Sequence, residues 1–196
     1  MDFLINYILE DDRVLLRPLA ASDYAFLVPY ALTEPNTWKY SAVSLVGEEG
    51  MLNYITDAIQ QRDLKTSYPF IVFDKLQQQY VGCTRFYDIQ VLHQTAQLGY
   101  TWYAEGSRGT GINKRCKFLL LQLAFESLNM ERVEFRADLR NEISIAAMKS
   151  IGYKVEGILR QHMLLPDGSR RDSIILSILK PEWETTVKPQ LKNRII

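Results

Sequence analysis

Arg108-Gly109-Thr110-Gly111-Ile112-Asn113-Lys114-Arg115-Cys116-Lys117 is the turn around which the rest of the chain can be read. An apolar run of strand length, residues 98–103, precedes it. After it, Ile112, Cys116, Leu119, Leu120 and Leu123 recur at the spacing of one helix face. Two glycines between a strand and a helix allow a tight turn that exposes backbone N–H groups. The first helical turn adds unpaired N–H donors and the positive end of the helix dipole. Such a turn is an anion site in principle. The ten residues also carry four cations and no acid. Cations at a helix N-terminus oppose the dipole, so their concentration there points to an anion that they neutralise. A solvated basic face behind a glycine turn is the other reading.

Outward from this turn, the pattern alternates between strand and helix periods. Towards the N-terminus, residues 13–17 read as a strand stopped by Pro18. Ser22 is placed to cap a helix over 23–27. Residues 33–46 form an aromatic loop, and 48–62 a helix facing inward through Leu52, Ile55 and Ile59. Residues 70–73 and 80–87 read as strands around a polar turn. Towards the C-terminus, Val133, Phe135 and Ala137 alternate with Glu134, Arg136 and Asp138, a strand pattern. Asn141 caps a helix carrying Ile143, Ala147 and Ile151, and Gly152 ends it. Strands over 158–165 and 172–179 flank the turn Pro166-Asp167-Gly168. The order β-α-α-β-β-β-α-β-α-β-β implies a mixed sheet with helices on its faces, in a single domain over residues 1–196.

Composition narrows the function classes. Lys plus Arg and Asp plus Glu each number 23, which argues against nucleic acid or an acidic membrane as the partner of the whole protein. Cys83 and Cys116 are isolated, and the only histidines are His93 and His162. A metal site or a disulfide framework is therefore not expected, and a reducing, cytoplasmic setting is. No apolar run has the length of a membrane span, and the N-terminus lacks a signal-peptide pattern.

The anion can be narrowed too. No Gly-Lys-Ser/Thr closes the turn, and no third glycine or early acidic strand end makes it a dinucleotide fingerprint. Arg-x-x-Gly-x-Asn at 108–113 instead resembles the Q/R-x-x-G-x-G/A motif of the GNAT acetyltransferases. Leu98-Gly99-Tyr100 is similar to that family's fourth strand. Asp138-x-x-Asn141-x-x-Ser144 and Gly152-Tyr153 resemble its later signatures. Glu156-Gly157, Arg160, His162, Asp167-Gly168 and Arg171-Asp172 resemble the C-terminal pattern of the RimJ/RimL-like branch, named for ribosomal-protein N-terminal acetyltransferases. Asn113 departs from the motif, but Gly-Thr-x-x-Asn-x-x-x-Lys at 109–117 resembles a variant within that branch.

The resemblance implies an α/β (α+β) GNAT fold, with a mixed central sheet of about seven strands flanked by about four helices. It implies acetyl-CoA as co-substrate, no metal, and a primary amine of a protein N-terminus or a small molecule as acceptor. The pyrophosphate would rest on Arg108, Gly109, Thr110, Gly111, Ile112 and Asn113. The pantetheine arm would pair with the backbone of Thr101, Trp102 and Tyr103, and with the Asn141 amide. Many members protonate the leaving thiolate with a Tyr, but the matching position here is Met148. Ser144 is then the candidate donor, or an ordinary Ser in a first helical turn. His162 has the intrinsic pKa range of a general base, and a structural role is its alternative. Trp38, Tyr40 and Tyr54 fall where the family builds its acceptor pocket, or they are core aromatics. The C-terminal Arg171-Asp172 pair is expected to fix the last hairpin, and a homodimer is compatible with exposed hairpins. A CoA-binding module impaired in catalysis by Met148 is the competing reading.

Overall fold

A computed structural model describes residues 1–195. One mixed sheet runs through it in the order β1-β2-β3-β4-β5-β6-β8-β7. The strands are β1 (Leu9–Glu10), β2 (Val14–Pro18), β3 (Ser67–Asp74), β4 (Gln79–Gln90), β5 (Thr95–Tyr103), β6 (Arg132–Asp138), β7 (Lys154–Leu164) and β8 (Arg170–Leu179). The helices are α1 (Tyr24–Thr33), α2 (Gly47–Asp63), α3 (Ile112–Gln122) and α4 (Glu142–Ile151). A C-terminal helical segment follows over Lys180–Glu182, Trp183–Val187 and Lys188–Lys192. There are eight strands rather than seven, because Leu9 and Glu10 pair with Leu16 and Leu15 ahead of the first expected strand. Two residues are too few to leave a period in the sequence.

Helix faces are set by the sheet they cover. On β3, Phe70 and Val72 face the larger core with α3 and α4, while Ile71 faces the smaller core with α1 and α2. The inward stripe of α2 is Met51, Tyr54, Ile55 and Ala58, with Leu52 about half exposed. Of the expected stripe, only Ile55 is fully buried. Ile143 likewise projects from α4, while Met148 and Ile151 are buried. Asp23 replaces Ser22 at the start of α1. Its carboxylate accepts from the Ala20 N–H at 2.8 Å and from Arg17 at 2.6 and 2.9 Å.

The sheet is antiparallel except between β5 and β6. That pair is parallel and holds only for Thr95–Arg132, Ala96–Val133 and Gln97–Glu134. Beyond Gln97 the strands part. A bulge on β5 accompanies the parting, since Arg85 pairs with Gly99 and Cys83 with Trp102, leaving one extra residue on β5. Tyr100 takes the strained left-handed conformation there, with φ of 51°. Its ring lies 4.0 Å from the guanidinium of the fully buried Arg85, a cation–π contact that holds the bulge in place.

Close backbone approach locks β5 to β4 on the other side. A Cβ added to Gly82 would lie 2.1 Å from the Trp102 carbonyl oxygen. Gly82→Ala is therefore expected to cost about 2 kcal/mol or more of stability by forcing β5 outward. Urea unfolding of the two proteins checks it.

Candidate active site

The parting of β5 and β6 opens a cleft of about 330 Å³ through the sheet. Alternation on the flanking strands divides its walls. Phe135 and Ala137 of β6 face α3 and α4, whereas Arg136 and Asp138 face the opposite side. Residues expected at the cofactor and at the acceptor thus meet one opening from two faces.

The α3 turn lies outside the cleft lining and is tied to it through Arg108, which reaches Thr37 of the cleft wall. Gly109 and Gly111 have φ of 75° and 90°, so both are left-handed, and Gly111 is the N-cap of α3 with no side-chain cap. No backbone N–H from Gly109 to Asn113 donates to any of the described residues. Unpaired donors in succession at a helix N-terminus are the kind of group that an oxyanion can accept from. The side chains behave differently from the expectation. Arg115 is paired with Asp11 at 2.8 Å and with Asp12. Arg108 donates to the Tyr103 carbonyl at 3.1 Å and to the Thr37 hydroxyl at 2.6 Å. Lys117 turns into the protein. Three of the four cations are thus engaged within the protein, and the unpaired donors at the turn are backbone N–H groups.

On the cofactor side, the β6-facing edge of β5 from Leu98 through Trp102 to Tyr103 has no strand partner. Thr101 lines the cleft, and its hydroxyl accepts from Lys117 Nζ at 2.9 Å and lies 2.8 Å from the Thr84 hydroxyl. Lys117 is fully buried and sits 5.9 Å from the Phe135 ring, so it bridges the two parted strands. No carboxylate lies within salt-bridge reach of it among the described residues. Burial lowers its ammonium pKa to about 7. Asn141 accepts from the Ser144 N–H at 3.1 Å, the N-cap bond expected of it, and both residues line the cleft. The Ser144 hydroxyl has no hydrogen-bond partner among the described residues. Met148 is packed in the core instead.

On the other face, Trp38, Tyr40 and Tyr54 all line the cleft. Trp38 and Tyr54 are also core residues, with the Trp38 ring edge-on to Trp102 at 5.3 Å. The two readings of these aromatics are therefore not exclusive. His162 lines the same wall and places Nδ1 3.1 Å from the Ser173 hydroxyl. Burial, then Arg136 and Arg171, lower its pKa and favour the neutral ring. Asp172 holds the hairpin, accepting from the Gln161 N–H at 2.7 Å, whereas Arg171 turns into the cleft.

Reading the sequence missed Arg171 as a cleft residue and Lys117 as the buried donor behind Thr101. Lys117 sits between Cys116 and Phe118 on a helix, and only its phase with Leu120 and Leu121 marks it as inward-facing. Cys116 is a core residue, its thiol pushed up to about 12 by burial, and takes no part in the cleft. Among the described residues no three potential ligands gather for a metal, and no helix is long and apolar enough to cross a membrane.

Lys117 also gives a stability signature. Its pKa is 10.5 in an unfolded chain and about 7 when folded. Between these values the unfolded chain holds a proton that the folded chain lacks, so stability rises with pH across the window, by at most about 1.4 kcal/mol per unit. Below pH 7 both states are charged and the full cost of burial persists. Lys117→Met is expected to be more stable at pH 7 and to lack the rise between pH 7 and 10, as measured by denaturant melts across that range.

Comparison with known proteins agrees with this architecture. Residues 13–154 match the family described as Acetyltransferase (GNAT) domain. The protein named "Putative ribosomal N-acetyltransferase YdaF" of Bacillus subtilis (strain 168) is 33% identical over 103 residues, covering 53% of this chain and 55% of that one. The match thus spans about half the length of that relative. A crystal structure titled as an acetyltransferase from T. thermophilus superposes with a TM-score of 0.88 at 29% identity, over 98% of both chains. The microcin C7 self-immunity acetyltransferase MccE, solved in complex with acetyl-CoA and AMP, shares the fold with a TM-score of 0.76 at 20% identity, over 86% of this chain and 93% of that one. With a family match over most of its length and a sheet that parts in the same chain order as the motifs, this chain belongs to the GNAT acetyltransferases.

Proposed function

We propose that the protein transfers the acetyl group of acetyl-CoA directly to a primary amine, of a small molecule or a protein N-terminus, in the cytoplasm. The observation that carries this reading is the parting of β5 and β6, which leaves a free strand edge beside a cleft, on the strand that leads into the glycine turn. The five unpaired N–H groups from Gly109 to Asn113 suit a pyrophosphate. The unpaired edge of β5 suits the amide groups of a pantetheine arm, which would add to the sheet as a strand does. That leaves the thioester between Thr101 and Ser144, with the acceptor entering past Trp38, Tyr40 and Tyr54.

The chemistry then follows from the groups in reach. The amine must be neutral to attack the thioester carbonyl. As the C–N bond forms and the C–S bond breaks, the electron pair leaves with sulfur. A backbone N–H of β5 can hold the developing oxyanion. Neutral His162 accepts the amine proton, directly or through water. The departing thiolate meets the free Ser144 hydroxyl as donor. Thr101, polarised by Lys117, offers a second hydroxyl nearby. Met148 is packed in the core and has no part in this arrangement.

Saturating acetyl-CoA is expected to raise Tm by about 5–10 °C; the absence of any shift would sink the reading. Gly111→Asp and Gly111→Asn share a shape and differ in charge. Asp should weaken acetyl-CoA by more than about 100-fold relative to Asn if a pyrophosphate lies there, which calorimetric titration measures. For Ser144→Ala, turnover should fall roughly 100-fold with acetyl-CoA affinity unchanged; unaltered turnover in a thiol-release assay would return Ser144 to a capping role.

A further inference from the structure

The acceptor side of the cleft carries charged groups of both signs, two of each. Four ionised side chains line it: Asp88, Asp138, Arg136 and Arg171. Three of them are partnered. Asp88 accepts from Gln90 and Gln97, each at 2.7 Å. Asp138 accepts both forks of Arg140, at 2.9 and 2.7 Å, and its backbone N–H at 2.9 Å. Arg136 donates to Glu134 at 2.5 Å. Arg171 is the exception. Its Nε donates to the Ser173 hydroxyl at 2.9 Å, and no carboxylate lies within 4 Å among the described residues. The residue is only 8% exposed, and its two terminal nitrogens have no acceptor among the described residues yet are not sealed from the cleft. Burial, then Arg136 and Arg140, disfavour its charge, against which Asp138 acts.

A buried guanidinium without a carboxylate is costly, and its fork geometry suits a planar or tetrahedral oxyanion. The surrounding wall strengthens this. Trp38 Nε1, Trp102 Nε1 and Tyr54 Oη are buried donors without acceptors, against a single unpartnered acceptor in the same lining, Gln97 Oε1. The wall offers unpaired donors, and its two arginines and two aspartates balance in formal charge, so the feature that stands out is the free fork of Arg171. An amine that carries an oxyanion gives that fork the acceptor it lacks.

We propose that Arg171 anchors an oxyanion, in the first place a carboxylate, on a small amine acceptor. This rests on the acetyl-transfer reading above and narrows its acceptor. Binding energy placed on a group remote from the reacting nitrogen orients that nitrogen towards the thioester.

The wild-type protein, saturated with acetyl-CoA, is assayed for thiol release against matched amines. These are the standard L-amino acids beside their C-terminal amides, phosphoethanolamine beside ethanolamine, and spermidine. At least one oxyanion-bearing amine is expected to exceed its neutral twin by about 100-fold in kcat/KM. Arg171→Gln should erase that preference by raising the KM of the oxyanion-bearing amine, with the acetyl-CoA thermal shift unchanged. Arg171→Lys should restore part of it. Equal use of the twins, preference for spermidine, or no transfer to any oxyanion-bearing amine while acetyl-CoA binds would overturn the assignment. So would a preference that survives in Arg171→Gln. If Arg171→Gln does not fold, the wild-type comparison decides alone. Absence of the acetyl-CoA shift itself is a separate outcome, which removes the acetyl-transfer reading and this one with it.

Discussion

Three residue pairs hold the two halves of this sheet together, Thr95–Arg132, Ala96–Val133 and Gln97–Glu134, and everything that follows depends on their being so few. Parallel pairing normally continues along the strands because unpaired backbone groups are costly to bury. Here β5 is drawn the other way. Its extra residue at Tyr100, the Arg85 guanidinium under that ring, and the close contact of Gly82 with Trp102 commit the strand to β4. β6 is committed to β8 over its whole length, from Arg132–Leu179 to Asp138–Ser173. Neither strand can close the gap without giving up its other partner. The result is a cleft with a free strand edge inside it, which is what a ligand bearing amides can complete.

Two buried cations stand by this cleft. Lys117 lies behind it on α3 and donates to Thr101 of the lining; Arg171 lines it from β8 beside His162. Neither has a carboxylate partner among the described residues, and both lose pKa to burial. Buried charge without compensation weighs against stability, so its presence twice beside one opening is evidence about ligands rather than about folding. On the reading proposed above, the thiolate would develop near Thr101 and an oxyanion of the acceptor would meet Arg171.

The parts legible in the sequence are those governed by neighbours along the chain. The glycine turn at 109–111, the Asn141 cap and the Gly152 stop are local backbone matters, and they stand where spacing places them. Strand periods at residues 70–73, 80–87 and 133–138 fall inside observed strands. Errors arose where a partner distant in sequence chooses. Arg115 looked like part of an anion-binding group, but Asp11 and Asp12 at the β1–β2 turn take it. Ile143 and Leu52 are apolar and in phase, yet they face solvent because the sheet lies elsewhere. Met148 stood in a position where a donor was sought, and its helix turns it into the core.

Sequence alone therefore settled the order of elements, the left-handed glycines that shape the α3 turn and the motif set by which the family is recognised, because each depends on conformational preferences of a few adjacent residues. It could not settle which cations meet which acids, where Lys117 and Arg171 point, or that β5 and β6 separate after Gln97. Those are competitions between pairings far apart in the chain. The folded sheet resolves them: β4 and β8 each outcompete the contact that would have closed the site.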